Sequence, residues 1–71
     1  MSRYFFHLRR GQVTVLDQEG IELASIEDAA KEAGKRAQEI ASKDALQGAV
    51  AKGRMITIAD DQWRTVMKLP F

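Results

Sequence analysis

Apolar and polar residues alternate along the first ten positions. Tyr4, Phe6 and Leu8 fall on one side, and Arg3, Phe5, His7 and Arg9 on the other. Strand side chains point alternately to two faces, so this predicts a strand over 3–9 with Tyr4, Phe6 and Leu8 inward. Arg10-Gly11-Gln12 reads as a turn, since glycine accepts positive φ. Residues 12–16 are rich in β-branched side chains and predict a second strand. The tight connection makes the two a hairpin. Asp17-Gln18-Glu19-Gly20 opens with Asp and closes with Gly, as turns do. Ile21-Glu22-Leu23 is a short extended lead into a helix.

The helix has the clearest signature. Ser25 followed by Asp28 approximates a capping box, and Glu27 and Asp28 suit the positive end of the helix dipole. Ile26, Ala29, Ala30, Ala33, Ala37, Ile40 and Ala41 then recur with helical spacing. At about 100° per residue they fill an arc of roughly 120°, the stripe of a helix lying on a core. The opposite side carries the i,i+4 pairs Glu27–Lys31, Glu32–Arg36, Lys35–Glu39 and Glu39–Lys43. A mostly alanine stripe lets the helix sit close to its sheet and leaves bulk to the strands. The register breaks at the end. Asp44 falls in the middle of the apolar arc and Leu46 nearly opposite it, so the helix ends or bends around 43–47, or Leu46 packs elsewhere.

Gly48 and Gly53 bracket a connector, Ala49-Val50-Ala51-Lys52. Residues 54–59 alternate as a third strand. Asp60-Asp61-Gln62 is a turn of the kind Asp favours. Trp63 to Leu69 gives a fourth strand, with Met67 and Leu69 inward and Val66 outward, and Pro70 is acceptable at its end. The order β-β-α-β-β predicts a two-layer α+β domain: an antiparallel four-stranded sheet with one long helix on one face. Phe71 then acts as a plug that pins the last strand.

Composition bounds the function. A chain of 71 residues is a single small domain with a thin core. A net charge of +1 gives no bulk attraction to nucleic acid or membrane, and the absence of cysteine removes disulfides, zinc–thiolate sites and thiol nucleophiles. No stretch approaches the roughly 20 apolar residues of a membrane helix, and no signal peptide is evident. The expectation is a cytoplasmic protein.

The opening Arg3-Tyr4-Phe5-Phe6-His7-Leu8-Arg9, followed by Gly11, is distinctive. It resembles a domain-of-unknown-function family of short bacterial proteins that begin with a near-identical segment. The resemblance extends through Asp17, Gly20-Ile21-Glu22-Leu23, the alanine-rich helix, Gly53, the turn at Asp60 and the terminal Leu69-Pro70-Phe71. Trp63 departs from it, at a position that resembles glycine in the family. The resemblance implies the fold and no activity.

Catalytic chemistry finds little support. His7 is the one general acid–base candidate, and no nucleophile or second titratable group is placed beside it. Asp60 and Asp61 are too few for a hard cation, and Asp17-Gln18-Glu19-Gly20 lacks the later glutamate of a calcium loop. The five glycines are dispersed, so there is no phosphate loop. The reading assigns no catalytic, metal-binding or cofactor-binding residue, and no small-molecule substrate.

The outer sheet face is the candidate interaction surface. It carries Arg3, Phe5, His7, Arg9, Arg64 and Lys68. An aromatic on an uncovered face points to a partner, first a second copy of the chain. The alternative is a nucleic-acid-binding regulator, in which rings stack on bases and cations hold phosphates. Residues 1–16 are basic without acids and 17–28 acidic without bases, which gives a local positive field. Trp63 either folds over a small core or stands half exposed as a contact residue. A dimer swapped through the 48–53 connector also fits the sequence.

Overall fold

The computed structural model describes residues 1–48 and 53–71. Its elements are β1 (Ser2–Arg10), β2 (Val13–Val15), β3 (Ile21–Leu23), α1 (Ile26–Leu46), β4 (Arg54–Ala59) and β5 (Thr65–Pro70). The class is α+β, with one antiparallel sheet and one helix. The connector 49–52, and with it the swapped-dimer hinge, lies outside the described residues.

The sheet has five strands, one more than the sequence pattern counts. β1 is long enough to hold two short strands along one edge. β2 pairs with its second half, Leu8↔Val15 through Arg10↔Val13, and β3 with its first, Ser2↔Leu23 through Tyr4↔Ile21. Its other edge pairs with β4 from Phe5↔Ala59 to Arg10↔Arg54, and β5 closes the sheet beyond β4. Ile21-Glu22-Leu23 is therefore a strand, because the turn at Asp17 returns it to the free part of that edge. The Asp17 Oδ1 accepts the N–H groups of Glu19 and Gly20 at 3.1 and 3.0 Å. Gly20 completes the turn at φ +69°.

Tyr4, Phe6, Ile56 and Ile58 form the core with Ala29, Ala33 and Ala37 of the helix. Ala29 and Ala33 are fully buried, as a close helix–sheet contact requires. The Ser25 Oγ accepts the Asp28 N–H at 3.2 Å and caps the helix. Of the four i,i+4 pairs expected on its outer side, Glu32–Arg36 is the one formed among the described residues, at 3.8 Å. Val66 corrects the expected outward placement. The β4–β5 register shifts at Ile58/Ala59, which inserts an extra residue into β5. Val66 accordingly packs against the core with Met67, Leu69 and Phe71.

The register break at the helix end has a specific solution. The helix runs to Leu46, which is 89% exposed. Asp44 stays on the inward face at 4% exposure. Its carboxylate accepts Arg10 at 3.2 Å through Oδ1 and Arg54 at 2.9 Å through Oδ2. Arg10 and Arg54 are directly opposed on β1 and β4 and have the parity of the inward-facing residues. A carboxylate can be buried there because two cations meet it.

Candidate interaction face

The odd-numbered residues of β1 bring Arg3, Phe5, His7 and Arg9 to the sheet face away from the helix. Lys68 joins them in the row His7–Thr57–Lys68 across β4 and β5. Arg64 lies at the turn before β5. The strands bring Arg3, Phe5, His7, Arg9 and Lys68 to one sheet face, and one of these residues departs from the expectation. Phe5 is not the exposed aromatic; it is 8% exposed.

Trp63 is the reason. Its ring stacks on Phe5 with centroids 4.5 Å apart and planes 18° apart, and on His7 at 5.6 Å and 7°. It reaches this position from the turn between β4 and β5, at φ 63°. That is left-handed backbone, which suits glycine and costs a bulky residue about 1–2 kcal/mol. Trp63 itself stays 56% exposed. On the other side of Phe5, Gly20 abuts the ring so closely that a Cβ there would stand 2.9 Å from Cδ2 and Cε2. Phe5 is thus enclosed between the two turns, and the accessible aromatic surface passes to Trp63.

The turn holding Trp63 is built by Asp60. Its Oδ1 accepts the N–H groups of Gln62 and Arg64, each at 2.9 Å, and its Oδ2 accepts Arg64 Nε at 3.1 Å. The hydrogen bond from the Arg64 N–H is the main influence holding the Asp60 carboxyl below its ordinary value. Both oxygens of Asp60 are thus engaged within the turn. Among the described residues no group of three or more His, Cys, Asp or Glu could hold a metal ion.

His7 sits between the face and the β2–β3 turn. Its Nδ1 accepts the Asp17 N–H at 3.0 Å, so the proton of the neutral ring is on Nε2. Asp17 in turn accepts the Phe6 N–H through Oδ2 at 3.0 Å. Burial raises the Asp17 pKa, but hydrogen bonds from Gly20, Phe6 and Glu19 and the Arg36 charge outweigh it, and the net shift is downward. This one residue fills the gap between β2 and β3 with a carboxylate and an N–H. The sequence pattern assigns it to the turn and gives no sign of its role beneath His7.

Two of the four Arg and Lys residues of the face, Arg3 and Arg64, pair with carboxylates among the described residues. Arg3 donates to the Glu19 carbonyl at 2.6 Å and pairs with Glu22 at 3.2 Å. Arg64 pairs with Asp60 at 3.1 Å. Arg9 donates to the Gly11 carbonyl at 2.9 Å and meets no carboxylate among the described residues. A shallow depression elsewhere is lined by Lys35, Gln38, Glu39, Ser42 and Lys43, all from α1.

A family described as a domain of unknown function, DUF6894, matches residues 3–71. The chain belongs to the DUF6894 family. The match takes in all five strands of this DUF6894 chain from Arg3 onward, the helix and both turns that enclose Phe5. No curated protein and no solved structure matches the DUF6894 chain.

Proposed function

We propose that this DUF6894 chain is a small non-enzymatic interaction module that self-associates through its outer sheet face. The observation that carries the reading is Trp63. Its backbone is held at φ 63°, and the ring is laid across Phe5 and His7 with more than half of the residue open to solvent. Half-exposed tryptophan on a rigid support is the anchor type that interfaces favour. The surround suits a second copy. Arg3–Glu22 and Arg64–Asp60 place both signs of charge around the ring, so a two-fold related copy meets complementary charges. The nucleic-acid alternative is less favoured, because those two arginines are already paired and fewer cations remain for phosphates. We also propose a cytoplasmic location, with which a cysteine-free sequence is compatible.

Light scattering on the wild type and on Trp63→Asp tests this. Aspartate tolerates left-handed backbone, and Phe5→Asp is unsuitable because it would bury a carboxylate. The expected result is a wild-type dimer whose mass is unchanged between about 0.05 and about 0.5 M salt, and a folded monomeric variant. A monomeric wild type overturns the proposal. Binding of a single-stranded oligonucleotide that weakens steeply with salt would install the alternative.

A further inference from the structure

We propose that the free edge of β2 takes up an extended, acidic segment of a partner protein as an additional strand. This surface borders the outer sheet face at Arg9 and does not depend on self-association through Trp63.

The backbone orientation follows from two contacts of β1. The Phe6 N–H turns toward Asp17, on the β2–β3 side. The Gly11 N–H turns toward Gly53, on the β4 side. Even-numbered residues of β1 therefore bond to β2, which makes Leu8↔Val15 and Arg10↔Val13 the bonded pairs. Thr14 lies between them, opposite Arg9, and turns its N–H and C=O outward to the open edge.

The side chains beside that edge are apolar and uncovered. Val13 and Val15 are 64% and 58% exposed, and Leu16 60%. Val13 and Val15 share the helix-side face with Arg10 and Leu8, but α1 packs over β3, β4 and β5 and leaves them bare. The opposite edge of the sheet is guarded. β5 carries a register shift, Lys68 and Pro70, the devices that stop strand addition. β2 carries none of them.

Charge selects the occupant. No acidic residue occurs in positions 1–16. Arg9 stands opposite Thr14 without a carboxylate partner among the described residues. Arg10 and Arg54 both donate to the Asp44 carboxylate, Arg54 also to the Phe71 main-chain oxygen, and Arg10, the more exposed of the two, stands beside Val13. A second copy would bring the same charges to the edge, whereas an acidic segment neutralises them. Main-chain bonds to Thr14, apolar side chains over Val13 and Val15 and acidic ones beside Arg9 together describe the ligand: alternating apolar and acidic residues in extended form.

A short peptide alternating valine and glutamate is the probe, with a valine–lysine peptide as control, titrated into 15N-labelled chain. The expected result is saturable change centred on the Thr14 amide, slowed hydrogen exchange at that amide, and at least about tenfold weaker binding of the lysine peptide. Thr14→Pro removes an N–H that no strand of the fold uses, so the chain keeps its ladder and loses binding by about tenfold or more. Arg9→Glu narrows or reverses the preference between peptides and needs no backbone change. No binding of the glutamate peptide, equal binding of both peptides, changes centred away from β2, or unchanged binding by both variants would each overturn the proposal.

Discussion

Asp44→Asn removes the negative charge from between Arg10 and Arg54 and keeps the side chain's shape. The amide retains one oxygen acceptor and turns its NH2 toward the other guanidinium, so a donor faces a donor. Removing one partner of a buried ion pair costs about 3–5 kcal/mol when the remaining charge stays buried. The side chain of Arg10 is 47% exposed and can rehydrate, while that of Arg54 is 15% exposed and cannot do so fully. The expected loss is therefore about 2–4 kcal/mol, set mainly by Arg54. A chain of this length has roughly 4–10 kcal/mol in total, so much of its stability is at stake. The melting temperature should fall by about 10–25 °C in a thermal scan followed by circular dichroism. The exposures also order the single variants, with Arg54→Met more damaging than Arg10→Met. The triple variant that combines Asp44→Leu with Arg10→Met and Arg54→Met leaves no charge to compensate and should recover most of the loss. An Asp44→Asn chain melting within about 3 °C of wild type would refute the argument that this carboxylate compensates buried charge.

Three further outcomes follow from the enclosure of Phe5 and from the β2–β3 turn. Trp63→Gly relieves backbone strain as it loses the stacking, whereas Trp63→Ala loses the stacking and keeps the strain. In urea unfolding Gly should exceed Ala at this position by about 1 kcal/mol, and the reverse order would remove the strain argument. Gly20→Ala must accommodate both positive φ and a 2.9 Å approach to the Phe5 ring. It should destabilise by about 1–3 kcal/mol, and a variant as stable as wild type would mean that the ring is not confined. Asp17→Asn should destabilise by about 1–2 kcal/mol at about pH 6, read from the same unfolding curves. The folded pKa of Asp17 lies below its ordinary value of 3.8, so the carboxylate's contribution is complete above that value and is lost as pH falls through the folded one. The gap between variant and wild type should therefore narrow below about pH 4, and a gap that widens there contradicts the sign.

The strands and the helix are legible in the sequence because their patterns are local. The alternation through Tyr4, Phe6 and Leu8 and the alanine spacing from Ala29 to Ala37 each specify a buried face without reference to the rest of the chain. Asp44 is visible as an anomaly in the apolar arc, and its resolution is also present in the sequence. Arg10 and Arg54 have the parity of the inward residues, and only their meeting at one end of the sheet requires the register. The fifth strand is less accessible, since three residues pair only because β1 is long enough to hold two partners on one edge. The direction of Val66 depends on a one-residue shift that no side-chain pattern announces. Phe5 falls on the expected face but reads as exposed, because its cover arrives from a turn near the other end of the chain. Nothing in the local pattern announces that Trp63 takes positive φ.

The pairing of β1 with β4 joins the first strand of the chain to residues on the far side of the helix, as in Phe5↔Ala59. During synthesis β1 emerges before β2 and β3, which follow within a few residues and pair along one of its edges. Its other edge, from Phe5 to Arg10, has no partner until Arg54–Ala59 emerge, and Trp63 arrives later still. Long-range pairings of this kind slow folding, and a bare aromatic strand edge is prone to pair with the wrong chain while it waits. The nascent protein is thus most vulnerable during the interval in which the helix is being made, before the strand that covers this edge exists.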